Sequence, residues 1–357
     1  MEQFHTYSSY DAAVLIGPSP LVKATDELIL THMVSPQIKA LLGSAIGGKV
    51  ELRETQAGLF PGDEVSNLNG HVITGPNGEK LVRCPYIVSL YEHKNGCLII
   101  KRDFVKIKVF AWLGDWKSGR AELILSTALR DRRYDGSKRA NDCSLLDYPY
   151  DHPELSKRLV INGETADLVT AETSLYSYFP GSSIAKSGGG KQLDEFIAKP
   201  FTFIDRPQLF MRLFKRAWKL DRFPGQNSIP IPDVGKLAHA GWEAVAKACG
   251  LDALETNPSH YHVTLWNMAK GYTFSYADQE ANINAYKAGI QKLKDNGVQL
   301  TRAQEAWICV LNNLKQRDLI PEHLRMDVPK WIQTNLDQES IWLVKPLSEK
   351  AAQLLKK

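Results

Sequence analysis

The ten residues from Asp103 to Trp112 read DFVKIKVFAW, an alternation that fits a β-strand. Side chains two apart share a face, so Val105, Ile107, Val109 and Ala111 form an apolar surface, and Phe104, Lys106, Lys108, Phe110 and Trp112 form the other. Three aromatic rings interleaved with two ammonium groups supply stacking for bases and charge for phosphates, which makes this second face a candidate nucleic-acid platform. The competing expectation is a sheet covered on both sides, with the rings as core and the lysines reaching to its rim.

Upstream, the runs YIVSLYEH and CLIIKRDFVKIKVFAWL flank Lys94-Asn95-Gly96-Cys97. Asn-Gly tolerates the positive φ angles of a type I′ turn, which predicts Asn95 and Gly96 as the loop, with Lys94 opposite Cys97 and Ile87 opposite Phe104. That register adds Ile87, Ser89, Tyr91, His93 and Arg102 to the candidate platform. Further runs, VELRE, HVIT, KLVRC and AELILSTA, extend an antiparallel meander from Lys49 to about Ala128. Before it, Asp26–Met33 and Pro36–Ile46 read as two helices broken at Ser35-Pro36. After it, LRDRRYDGSKRAND sets Arg130, Arg132, Arg133, Lys138 and Arg139 around Tyr134, a basic loop suited to closing on a strand.

Charge is uneven along the chain, although its total is only +4. Lys and Arg against Asp and Glu number 5 against 9 over residues 1–82, 13 against 6 over 83–139, 5 against 9 over 140–200 and 6 against 2 over 201–224. The positive charge is thus concentrated in two regions, and local fields rather than the total attract polyanions. The five cysteines are widely spaced and never form a CxxC pair, which fits a reducing cytoplasm rather than a disulfide framework. Neither a signal peptide nor an apolar run long enough to span a bilayer is evident, so a soluble protein without a membrane partner is expected.

The second basic region is Gln208–Phe223, QLFMRLFKRAWKLDRF. At 3.6 residues per turn Arg212, Lys215, Arg216, Lys219 and Arg222 fall on one face of a helix, with Leu209, Phe210, Leu213, Ala217 and Leu220 on the other. Such a helix can bury one face and offer the other to phosphates. Later helices are predicted over Val234–Ala248, closed by Gly250, over Gln279–Asp295, and over Arg302–Gln316, opened by a capping-box pair Thr301 and Gln304. The fold class is therefore α+β: an antiparallel β-rich part with flanking helices over residues 1–178, a Gly/Ser connection over 179–192, and a mainly helical part over 193–357.

One strand is predicted within the helical part, HYHVTLW from His260 to Trp266, with His260, His262, Thr264 and Trp266 on one face. Two histidines so placed can ligate one divalent metal. This short pattern resembles the metal motif of HUH-type endonucleases, which nick single-stranded DNA through a tyrosine. The resemblance implies that His260 and His262 would hold the metal and that Tyr286, on a following helix, would attack the phosphate. The lysine that family carries a turn below its tyrosine is absent, since Lys287 and Lys292 lie off that face.

The leading expectation is a nucleic-acid-binding protein favouring single strands, without a cofactor. It would use Arg102, Phe104, Lys106, Lys108, Phe110, Trp112, Arg130, Arg132, Arg133 and the basic helix from Arg212 to Arg222. The alternatives are the metal-dependent nicking enzyme, and an assembly protein whose basic surfaces meet a protein partner or a second copy of the chain.

Overall fold

A single strand from Cys97 to Leu113 would be about 55 Å long at ~3.3 Å per residue, well beyond the usual strand. The chain folds back instead. The structure, a computed structural model, describes residues 7–8, 19–43, 45–53, 72–74, 80–82, 86–102, 106–131, 147–148, 160–161, 164–181, 190–226, 228–331 and 341–356. It is an α+β protein with an antiparallel, β-rich N-terminal part and a mostly helical C-terminal part.

The principal strands are β1 (Ala45–Arg53), β2 (Tyr86–His93), β3 (Gly96–Arg102), β4 (Lys106–Leu113), β5 (Glu122–Asp131), β6 (Thr170–Ser177) and β7 (Ala253–Thr256). They lie side by side in that order, antiparallel throughout except for the parallel pair β6 and β7. The strand expected from Asp103 thus begins at Lys106, and Phe104 lies outside the described residues. Because β3 and β4 are separate antiparallel strands, Arg102 faces Ile107, and Lys101 rather than Arg102 shares the face of Lys106 and Lys108.

The turn between β2 and β3 also differs from expectation. His93 pairs with Gly96, which leaves Lys94 and Asn95 as the loop and shifts the register by two residues. Tertiary contacts decide it. The Asn95 backbone N–H donates to Leu42 O (2.9 Å) and its side-chain amide to Leu41 O (3.1 Å), satisfying carbonyls at the end of a helix. Gly96 is required for a different reason: a Cβ there would lie 1.9 Å from the Trp112 carbonyl oxygen on β4.

Helices α1 (Asp26–His32) and α2 (Pro36–Leu42) are the expected N-terminal pair, each capped by the hydroxyl before it, Thr25 or Ser35. The other principal helices are α3 (Lys191–Ala198), α4 (Pro207–Ala217), α5 (Val234–Cys249), α6 (Tyr261–Met268), α7 (Ala277–Asp295), α8 (Arg302–Leu311) and α9 (Glu349–Leu354). The Trp242 indole N–H of α5 donates to Thr127 Oγ1 on β5 (2.9 Å), and α1 packs on α5 at Gly241, where a Cβ would meet His32 O at 1.9 Å. Among the described residues no helix is long and apolar enough to cross a membrane.

The chain groups into two units: Met1–Pro180, Pro230–Thr256 and Pro346–Lys357 in the first, Gly181–Ile229 and Asn257–Lys345 in the second. The sheet from β1 to β7 with α1, α2, α5 and α9 belongs to the first. Asp252 ties its three pieces together, its carboxylate accepting from Val169 N (3.0 Å) and from the Ser348 hydroxyl (2.7 Å). The second unit is built around Trp307 of α8. That ring stacks on Phe196 of α3 (5.3 Å, 11°) and meets Phe214 of α4 edge-on (6.3 Å, 78°). Its N–H donates to Arg222 O (2.8 Å).

Candidate nucleic-acid interface

On β4 the expected face exists, and it is buried. Lys106, Lys108 and Phe110 expose only 8%, 7% and 4% of their surface, and Ile107, Val109 and Ala111 on the opposite face are buried as well. Phe110 joins Val88, Leu90, Cys97 and Ile99 in a core cluster, with Trp112, Trp116 and Leu123 half-buried against it. Lys108 places its ammonium 4.6 Å from the centre of the Phe110 ring. A base cannot stack on a ring enclosed in this way, so the open platform read from alternation is corrected: a central strand is covered on both sides.

The cations of this sheet face lie in rows set by register. Lys101 is opposite Lys108, and Lys106 is opposite Arg130, itself opposite Glu172. Arg130 pairs with Glu172, and Glu255 accepts from the Thr170 hydroxyl. Arg130 is thus engaged within the sheet. Arg102, also expected at the platform, turns to the helical side, where it pairs with Asp26 (2.8 Å) and donates to Ala24 O (2.6 Å). Tyr91 donates to the same carboxylate (2.7 Å), and burial, then Asp26, pushes its hydroxyl up to about 12. Arg132 and Arg133 lie outside the described residues.

The basic helix keeps its expected amphipathic division. Phe210, Met211, Leu213, Phe214 and Ala217 are buried, while Arg212, Lys215, Arg216 and Lys219 are exposed. From Pro207 to Leu220 the sequence contains no Asp or Glu, so this face carries no carboxylate of its own. The helix stops at Ala217, earlier than the expected Phe223, and Lys219 sits in the turn after it. Arg222 is drawn inward beside Asp194 (4.0 Å) and donates to Gln226 O (3.2 Å); burial lowers its pKa, with Asp194 opposing. Arg222 therefore braces the turn and is not part of the open face. Arg206, which sequence reasoning passed over, is exposed before the helix, 5.3 Å from the Phe203 ring centre.

The predicted histidine strand is a helix. Over only seven residues period 2 misled, because Tyr261, Thr264 and Asn267 are buried at a spacing of three, and Thr264 N donates to His260 O (3.0 Å). His260 caps α6, its Nδ1 2.7 Å from Ser259 Oγ, and a Cβ at Gly225 would collide with its ring. Burial depresses the His260 pKa to about 4, and burial followed by His260 holds His262 well below the usual value. His260 Nε2 and His262 Nδ1 are buried without a hydrogen-bond partner, their rings 5.8 Å apart. These two nitrogens could ligate a metal, but among the described residues no group of three His, Cys, Asp or Glu forms around them.

Tyr286 cannot act as the nucleophile. It is fully buried between Trp331 (5.5 Å) and Tyr261 (6.4 Å), Asn313 donates to its hydroxyl (3.4 Å), and burial raises its pKa. A phosphate has no access to that oxygen in this fold.

No family model, curated protein or solved structure matches the chain.

Proposed function

We propose that the protein binds nucleic acid through the exposed cationic face of α4 and the turn after it, Arg212, Lys215, Arg216 and Lys219. The observation that carries the reading is that fourteen-residue segment, Pro207–Leu220, in which the exposed face is cationic and no acidic residue occurs. Released counterions make such a contact strongly salt-dependent. With four phosphates neutralised, affinity falls about 50-fold for a single strand and about 150-fold for a duplex between about 50 and about 200 mM salt. A cytoplasmic setting accompanies this reading. It is supported by the free thiols of Cys97, Cys249 and Cys309, since a reducing compartment keeps cysteines unpaired.

The test is fluorescence anisotropy of labelled single-stranded and duplex oligonucleotides across that salt range, on the intact chain and on the variant R212A/K215A/R216A/K219A. Alanine preserves helix propensity at Arg212, Lys215 and Arg216, and Lys219 lies in the turn beyond the helix. The expected result is salt-sensitive binding that the variant loses, with a shallower salt slope. Absence of binding at low salt, or equal binding by the variant, overturns the proposal.

A further inference from the structure

The buried rings of β4 leave the cationic face of α4 without a stacking partner, and the second unit supplies one elsewhere. Trp266 is 48% exposed. It projects from α6 on the side away from the buried Tyr261, Thr264 and Asn267. Two near-perpendicular rings fix its orientation, Phe223 at 5.3 Å and 70° and His262 at 4.8 Å and 81°. Phe223 in turn stacks on His262 (4.5 Å, 29°). The indole is thus held rigid with nearly half its surface in water, an arrangement that costs burial and suits a planar ligand.

Phe223 lies three residues beyond the cationic segment, past the exposed Asp221. It follows Arg222, whose carbonyl is anchored by the Trp307 indole N–H (2.8 Å), so the turn carrying Lys219 and the ring supporting Trp266 share one fixed piece of backbone. Four residues from Lys219 to Phe223 span at most about 14 Å. That keeps the turn and the ring close enough to belong to one single-strand site of roughly 4–16 nucleotides.

We infer that Trp266 is the base-stacking residue of this interface and that its ligand is single-stranded nucleic acid. The inference rests on the reading of α4 as a phosphate-contacting face. The acid-free run of cations favours a polyanion over an apolar protein partner, and a duplex keeps its bases stacked on one another, out of reach of an indole.

The test compares the intact chain with W266A and W266F by anisotropy, using labelled oligo-dT of about 15 nucleotides, a duplex of the same length, and polyglutamate as competitor. Thermal melting of each variant checks folding, which substitution of an exposed side chain leaves intact. Loss of one stacked base weakens oligo-dT binding about 5- to 150-fold in W266A. W266F retains most of the affinity, and duplex binding and the salt slope stay unchanged. Equal oligo-dT affinity in W266A, a parallel loss on the duplex, or displacement by polyglutamate as effective as by oligo-dT overturns the inference. Salt-dependent binding of the intact chain without single-strand preference removes Trp266 from the interface and leaves α4 standing. No binding of either nucleic acid removes both.

Discussion

Strand β4 and helix α4 are built from the same materials, lysines or arginines alternating with aromatic and aliphatic residues, yet their cations have opposite fates. In β4, Lys106 and Lys108 are enclosed with Phe110. In α4, Arg212, Lys215 and Arg216 stand in water while Phe210 and Phe214 are buried. The difference lies in geometry more than composition. A strand divides its residues between two faces, and a central strand of a covered sheet loses both to the interior. A helix at a surface confines burial to one stripe and leaves the rest wet. Basic and aromatic residues in sequence therefore mark an interface only when the element leaves their face open.

The strongest way to break this contrast is at Phe110. Its truncation to alanine is expected to cost about 3–5 kcal/mol of stability in a denaturant titration, as for a large core side chain. A loss below about 1 kcal/mol would return the ring to the surface and the platform with it. Burial of basic groups is tested next by the histidines of the second unit. His260 has its folded pKa lowered to about 4 from an unfolded value near 6.5. The unfolded chain therefore binds the proton first as pH falls, so the stability is fully present above about pH 6.5 and is lost on descent toward pH 4. His260 alone accounts for about 3 kcal/mol on that descent, and His262 is lowered in the same direction. Equilibrium unfolding at pH 7.5 and 4.5 measures it; a flat profile would mean that the imidazoles are hydrated. The smallest effect belongs to Lys117, whose ion pair with Glu92 (2.6 Å) is largely exposed. Lys117→Ala is expected to leave the denaturation midpoint unchanged, and its insensitivity beside Phe110 would mark off open groups from enclosed ones.

Local chemistry made part of this structure legible in advance. Thr301 and Gln304 form the reciprocal capping box at the start of α8, Gly250 closes α5 at φ 84°, and the division of faces on α4 follows the 3.6 period. The meander followed from alternation and turn residues, but its register did not. Asn95 answers to carbonyls of α2 far away in sequence, and Gly96 to the backbone of β4. Whether Lys106 and Lys108 meet water depends on what lies over the sheet, which alternation does not encode. His260–Trp266 was too short for period 2 to be distinguished from a helix. The helix still sets Trp266 beside His262, four residues earlier, with nearly half of its surface in water.

The bridge made by Asp252 carries a consequence for biosynthesis. Its carboxylate joins Val169, made 83 residues earlier, to Ser348, made 96 residues later. At about 5–20 residues per second, roughly 10–40 s separate the emergence of the first partner from that of the last. During that interval β6 has left the ribosome without β7 and then without the clasp at α9, so its edge must stay unclaimed by other nascent strands. Completion of this sheet during synthesis thus waits for the residues of α9.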